Sequence, residues 1–137
     1  LSISHGLIVE VMGCNYILLL ESIVETVKID RRKIHNFNEK YFTYLRGNVI
    51  GVEWLSKILL LGDRNTEKDE LNAVIVTNGA DSFALVVDRL RNEQEFVIKP
   101  LEGHLSSIQG ISGSTILGNG QVVLILNPSD LVKMAGR

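Results

Sequence analysis

A mostly β fold, arranged as two small packed barrels, is the class this sequence predicts, and three observations predict it. Fourteen Val and fourteen Ile stand against four Ala, a bias toward β-branched side chains that favours extended backbone over helix. Twelve Gly against two Pro supply turn residues between short apolar runs. About ten such runs recur, and a single barrel of that many strands would enclose a lumen, for which the runs are too apolar.

Leu7 to Met12 and Tyr16 to Leu20 flank Gly13-Cys14-Asn15 as a hairpin, and both runs are too uniformly apolar for a strand with one wet face. Ile23 to Ile29 alternates, with Val24, Thr26 and Lys28 on one side. The other side carries Ile23, Val27, Ile29 and a lone carboxylate, Glu25, which needs a partner. Asp30 is placed to cap a short turn over Arg31 to Ile34. Tyr41 to Leu45 and Val49 to Glu53 form a second hairpin around Arg46-Gly47-Asn48. The spacing of Trp54, Leu55, Ile58, Leu59 and Leu61 predicts a short helix.

Gly62 to Glu70 is the longest polar run and is expected to be the most mobile internal connector. Leu71 to Thr77 and Ser82 to Val87 are strands around Asn78-Gly79-Ala80-Asp81, followed by a strand from Arg89 to Lys99 that Pro100 ends. Gly103 to Gln109 is a loop or helical turn. Ser112 to Leu117 and Val122 to Leu126 are strands joined at Gly118-Asn119-Gly120. A final helix has Asn127 as its cap, Pro128 in its first turn, and Leu131, Val132 and Met134 facing inward.

The 137 residues and 15.2 kDa fit one domain over 1–137, a size that buries roughly 65–70% of the unfolded surface. An apolar fraction of 45% and a mean hydropathy of +0.18 exclude a disordered chain. A net charge of −2 and a pI near 5.9 argue against nucleic-acid or anionic-membrane binding; the basic cluster Lys28, Arg31, Arg32, Lys33 is short. No apolar run reaches membrane-span length. The single Cys14 cannot close an intramolecular disulfide and suits a reducing cytoplasm. The opening at Leu1, without Met, suggests a piece of a longer protein.

No catalytic chemistry is visible. His5, His35 and His104 stand apart, so no metal site is expected, and no nucleophile motif occurs. Gly110 to Gly120 invites a phosphate-loop reading but lacks the Gly-Lys-Ser/Thr ending, and Asn119-Gly120 suits a tight hairpin. Asp88, Glu93 and Glu95 read as the wet face of a strand. Neither catalytic residues nor a cofactor are expected.

Several runs taken together resemble one family. Tyr16-Ile-Leu-Leu-Leu20 with Val24-Glu25, Leu45-Arg-Gly-Asn-Val-Ile50, Val86-Val-Asp-x-Leu90, Glu93-Gln-Glu-Phe-Val-Ile-Lys-Pro-Leu101 and Gly110-Ile-Ser-Gly-Ser-Thr-Ile-Leu-Gly-Asn-Gly120 occur in the order of the CheW-like domain of bacterial chemotaxis. The likeness covers nearly the whole chain, and the last two motifs carry most of its specificity. Leu19 and Gly51 stand where the family often has Pro, and Asn119 replaces the usual Asp of the Gly-Asp-Gly turn.

The resemblance implies two intertwined five-stranded barrels without an active site. The domain occurs in a free-standing adaptor, CheW, and at the C-terminus of a histidine kinase, CheA. Leu1-Ser-Ile-Ser-His-Gly-Leu-Ile-Val-Glu-Val11 resembles the kinase junction, so the regulatory domain of a two-component histidine kinase is favoured over an adaptor. The implied partners are a CheW-type adaptor, a chemoreceptor cytoplasmic tip and the rest of the parent kinase, at cytoplasmic receptor arrays. A small β-barrel ligand binder or enzyme is the alternative from another class.

Glu25 and Arg46 are expected to form a partly buried ion pair, since their positions match the Glu and Arg-Gly of the family pattern. Spare apolar surface marks partner sites, and Ile23, Glu25, Arg46 and Val87, in or beside the motif strands, are the candidate partner-binding residues.

Overall fold

The computed structural model describes residues 2–62 and 68–136. Eleven strands and two helices follow one another as β1 (Ser4–Val11), β2 (Cys14–Leu19), β3 (Ile23–Asp30), β4 (His35–Phe37), β5 (Lys40–Leu45), β6 (Asn48–Trp54), α1 (Leu55–Ile58), β7 (Glu70–Thr77), β8 (Ser82–Val87), β9 (Arg89–Phe96), β10 (Ile111–Ile116), β11 (Val122–Leu126) and α2 (Pro128–Ala135). They form a five-stranded sheet in the order β10-β11-β2-β1-β9 and a six-stranded sheet in the order β3-β7-β8-β6-β5-β4. Each sheet is antiparallel but for one parallel pair, β11 with β2 and β6 with β8. The first sheet is built from both ends of the chain and the second from its middle.

Apolar residues on successive positions explain why β1 reads as continuously hydrophobic. Leu7, Val9 and Val11 enter a core shared by the two sheets and both helices, together with Leu18, Val74, Phe83, Leu85 and Leu131. Ile8 faces the other way, into the curl of the first sheet with Ile17, Phe96, Val123 and Ile125. A third cluster, which includes Ile29, Ile50, Val52, Ile75 and Val86, fills the curl of the second sheet. A strand covered on both sides has no wet face to alternate with.

The mostly β class agrees with the expectation, and the two barrels differ from it in detail. The second sheet has six strands, because the three-residue β4 pairs with β5 across a turn at Asn38 and Glu39, both at positive φ. Neither sheet closes through a continuous ladder. The first is joined across its seam by one bridge: Lys99 N–H donates to the Ser114 carbonyl at 2.8 Å and Ser114 N–H to the Lys99 carbonyl at 2.9 Å. Gly113 permits that approach, since a Cβ there would lie 2.7 Å from the Lys99 carbonyl oxygen.

The helix expected over Trp54 to Leu61 is helical only at Leu55–Ile58. Leu60, at φ 57, turns the chain left-handed while Leu61 N–H donates to the Ser56 carbonyl and Leu60 N–H to that of Lys57, the paired bonds that end a helix. Both expected caps form: Asp30 accepts from Arg32 N–H at 2.9 Å and Asn127 from Asp130 N–H at 3.4 Å. The strand from Arg89 ends at Phe96, short of Lys99. Within the expected connector Gly62 to Glu70, residues 63–67 lie outside the described residues.

Candidate interaction surface

A register shift between Ile23 and Glu25 decides where the side chains of β3 go. Ile23 packs half-buried against the shared core, whereas Val27 and Ile29 turn into the curl of the second sheet. Glu25 is left at the sheet's open rim. There it meets Arg46, in the β5–β6 turn, whose Nη1 donates to Glu25 Oε2 at 2.6 Å while Nη2 donates to Oε1. Hydrogen bonding to the guanidinium, with its charge, holds the Glu25 carboxyl below its usual range and raises Arg46.

The expected pair therefore forms, but at the surface: the Arg46 side chain is 65% exposed and that of Glu25 28%. Solvent screens a pair in that setting. Val87 requires a correction. On β8 it is 4% exposed and belongs to the shared core, so it presents nothing to a partner; the run Phe83 to Val87 is buried on both faces of its sheet.

Sequence reasoning missed an exposed apolar surface. On the outer face of the β4–β5–β6 wing, His35 pairs with Phe42 and Tyr44 with Val49 in register. The rings of His35 and Phe42 lie 5.2 Å apart, and those of Phe42 and Tyr44 6.1 Å apart. Phe37 is 69% exposed, Tyr44 59% and Val49 63%. The signal was present in β5, where Phe42 and Tyr44 alternate with inward Tyr41, Thr43 and Leu45; a hairpin that is apolar on both faces needs cover on both. A second apolar pair, Ile116 with Val122, is exposed across the β10–β11 register on the other sheet.

Glu53, on the same face of β6 as Val49, is half-buried; burial pushes its carboxyl up while Lys57 and Lys40 pull it back. The Gly118–Gly120 turn is closed on itself, with Gly120 N–H donating to the Leu117 carbonyl and Gln121 N–H to Asn119 Oδ1. Among the described residues no group of three or more His, Cys, Asp and Glu side chains is placed to hold a metal ion. No described helix is long and apolar enough to cross a membrane.

The profile of the CheW-like domain family matches residues 5–136. The chain belongs to the CheW-like domain family. Chemotaxis protein CheA of Bacillus subtilis is 32% identical to this CheW-like domain over 132 residues, covering 96% of the chain and 20% of that protein. CheA of Borreliella burgdorferi is 36% identical over 130 residues, 93% of the chain and 15% of the relative. The sensor histidine kinase CheAY of Helicobacter pylori is 30% identical over 135 residues, 98% and 17%. The chain thus spans a fifth or less of the length of these curated relatives. In three dimensions it resembles the scaffolding protein TtCheW from Thermoanaerobacter tengcongensis, with a TM-score of 0.73 at 19% identity over 92% of this chain and 90% of that one, a likeness of fold.

Proposed function

We propose that this CheW-like domain is a single regulatory unit over 1–137 at the C-terminus of a chemotaxis histidine kinase. It holds the kinase to a CheW-type adaptor and to a chemoreceptor cytoplasmic tip, at cytoplasmic arrays beneath the membrane. Catalysis, ATP-dependent autophosphorylation of a histidine, then belongs to the rest of the parent protein. The observation that carries this reading is the pair of exposed apolar surfaces on different sheets: Phe37, Tyr44 and Val49 on one, Ile116 and Val122 on the other. Contiguous exposed apolar surface of this kind marks protein partners, and two separated patches suit a coupling element. For the receptor tip the proposal keeps Ile23, Glu25 and Arg46, and drops the buried Val87.

Co-sedimentation with a CheW-type adaptor and receptor tips tests it. Tyr44→Asp and Val122→Asp, each at an exposed position, are expected to abolish adaptor capture and to leave the thermal midpoint unchanged. Capture that survives both substitutions sinks the proposed surfaces. The second reading, a free-standing adaptor, is favoured by the resemblance to TtCheW over 90% of that chain. A reading frame that continues upstream of Leu1 into a nucleotide-binding catalytic domain decides for the kinase.

A further inference from the structure

The second sheet has an opening that neither the partner surfaces nor the ion pair accounts for. Its end strand β3 forms no ladder with β5. Two side-chain ties span the gap near its ends: Arg46, in the β5–β6 turn, on Glu25 of β3, and Thr43 Oγ1 of β5 donating at 2.8 Å to the carbonyl of Lys33, in the turn after β3. Beside these ties lies a cavity of about 410 Å³ floored by apolar side chains that include Ile29, Ile50 and Ile75, a volume within the span of small-molecule sites.

The charges at its rim are unequal. Asp30 is engaged by Arg32 at 3.0 Å, and Glu70 by Lys28 at 3.9 Å. Lys33, also on the rim, has no carboxylate within 4 Å among the described residues, although its charge acts on Asp30 from further off. A cation entering here would have to compete for carboxylates already paired with Arg32 and Lys28, whereas an anion finds in Lys33 an ammonium with no hydrogen-bonded partner and has only its weaker attraction to Asp30 to overcome. We infer that this opening binds a small amphipathic anion, its hydrocarbon or aryl body on Ile29, Ile50 and Ile75 and its carboxylate at Lys33. The inference stands apart from the partner reading.

Octanoate is the probe, titrated into the protein while the methyl NMR signals of Ile29, Ile50 and Ile75 are followed. Octanol and octylamine supply the same chain with a neutral and a cationic head. Octanoate is expected to shift those methyls saturably with a Kd below about 1 mM, at least fivefold tighter than either control. Lys33→Gln should weaken octanoate at least fivefold and leave octanol unchanged. Leu45→Trp, placed to fill the opening, should remove the shifts while the thermal midpoint reports that the fold persists. The inference is overturned if no saturable shift appears, if octanol binds as tightly, if Lys33→Gln has no effect, or if the shifts fall instead on the Phe37–Tyr44 wing.

Discussion

Replacing Gly113 with alanine tests how the first sheet is drawn together. The new Cβ would stand 2.7 Å from the Lys99 carbonyl oxygen and 2.9 Å from Ile98 Cγ2. The nearer obstacle is backbone, so no side-chain rotation relieves it and the segment at Lys99 must withdraw. That withdrawal strains the two hydrogen bonds between Lys99 and Ser114, now 2.8 and 2.9 Å long. At about 1 kcal/mol for each bond, with about 1–3 kcal/mol more for overpacking, the loss is about 3–5 kcal/mol. For 137 residues each kcal/mol moves the midpoint by about 3–5 °C, so thermal unfolding should fall by about 10–20 °C. Gly118→Ala is the control, because a Cβ there meets nothing within 4 Å; its midpoint should stay within about 2 °C of the parent. If circular dichroism melts place Gly113→Ala beside that control, the seam is looser than this reasoning requires.

Leu131→Ala removes a fully buried side chain that α2 inserts into the shared core, and denaturant unfolding should show a loss of about 2–5 kcal/mol. Arg46→Ala should shift the thermal midpoint by less than about 3 °C, because the pair it breaks is solvated. The Glu25 carboxyl lies below its ordinary 4.5 when folded, so the pair's contribution is complete above that pH and fades as pH falls through the folded value; melts taken on acidification should show parent and variant converging. Glu53 has the opposite sign: its folded carboxyl is raised, so ionisation works against folding as pH climbs past its ordinary value. Glu53→Gln should therefore raise the midpoint at pH 7, and the gain should vanish near pH 4.

Strand placement was legible wherever a glycine turn separated two apolar runs, as at Gly13, Gly47 and Gly120. It failed at β4, because three residues hold no periodicity and the turn at Asn38-Glu39 lacks the glycine that announces a hairpin. The end of α1 was hidden for a related reason, since Leu60 takes the left-handed position that usually falls to Gly. Glu25 and Arg46 were found as partners because a carboxylate on an apolar strand face is a local anomaly. Their exposure was not legible, because it depends on the shift that turns Glu25 to the rim. Val87 was misjudged because a strand buried on both sides looks the same in sequence as one with an exposed apolar edge. The aromatic wing needed the cross-strand register to show Phe42, Tyr44 and Val49 on one face.

The nesting of one sheet within the other sets an order of assembly. All six strands of the second sheet lie between Ile23 and Val87, so that sheet can pair completely while the C-terminal third of the chain is still unsynthesised. The first sheet cannot: β1 and β2 lead the chain, yet their neighbours β9 and β11 arrive last. Val9, Val11 and Leu18 can already pack on Val74, Phe83 and Leu85 of the second sheet, but Ile8 and Ile17, whose partners are Phe96, Val123 and Ile125, must wait on an uncovered face, a delay that loop closure over such separations lengthens. A translation product stopped after Val87 would keep the Ile8 and Ile17 face of that hairpin permanently uncovered. Such fragments are expected to be held by chaperones or to aggregate, even though the six strands of the second sheet are correctly paired.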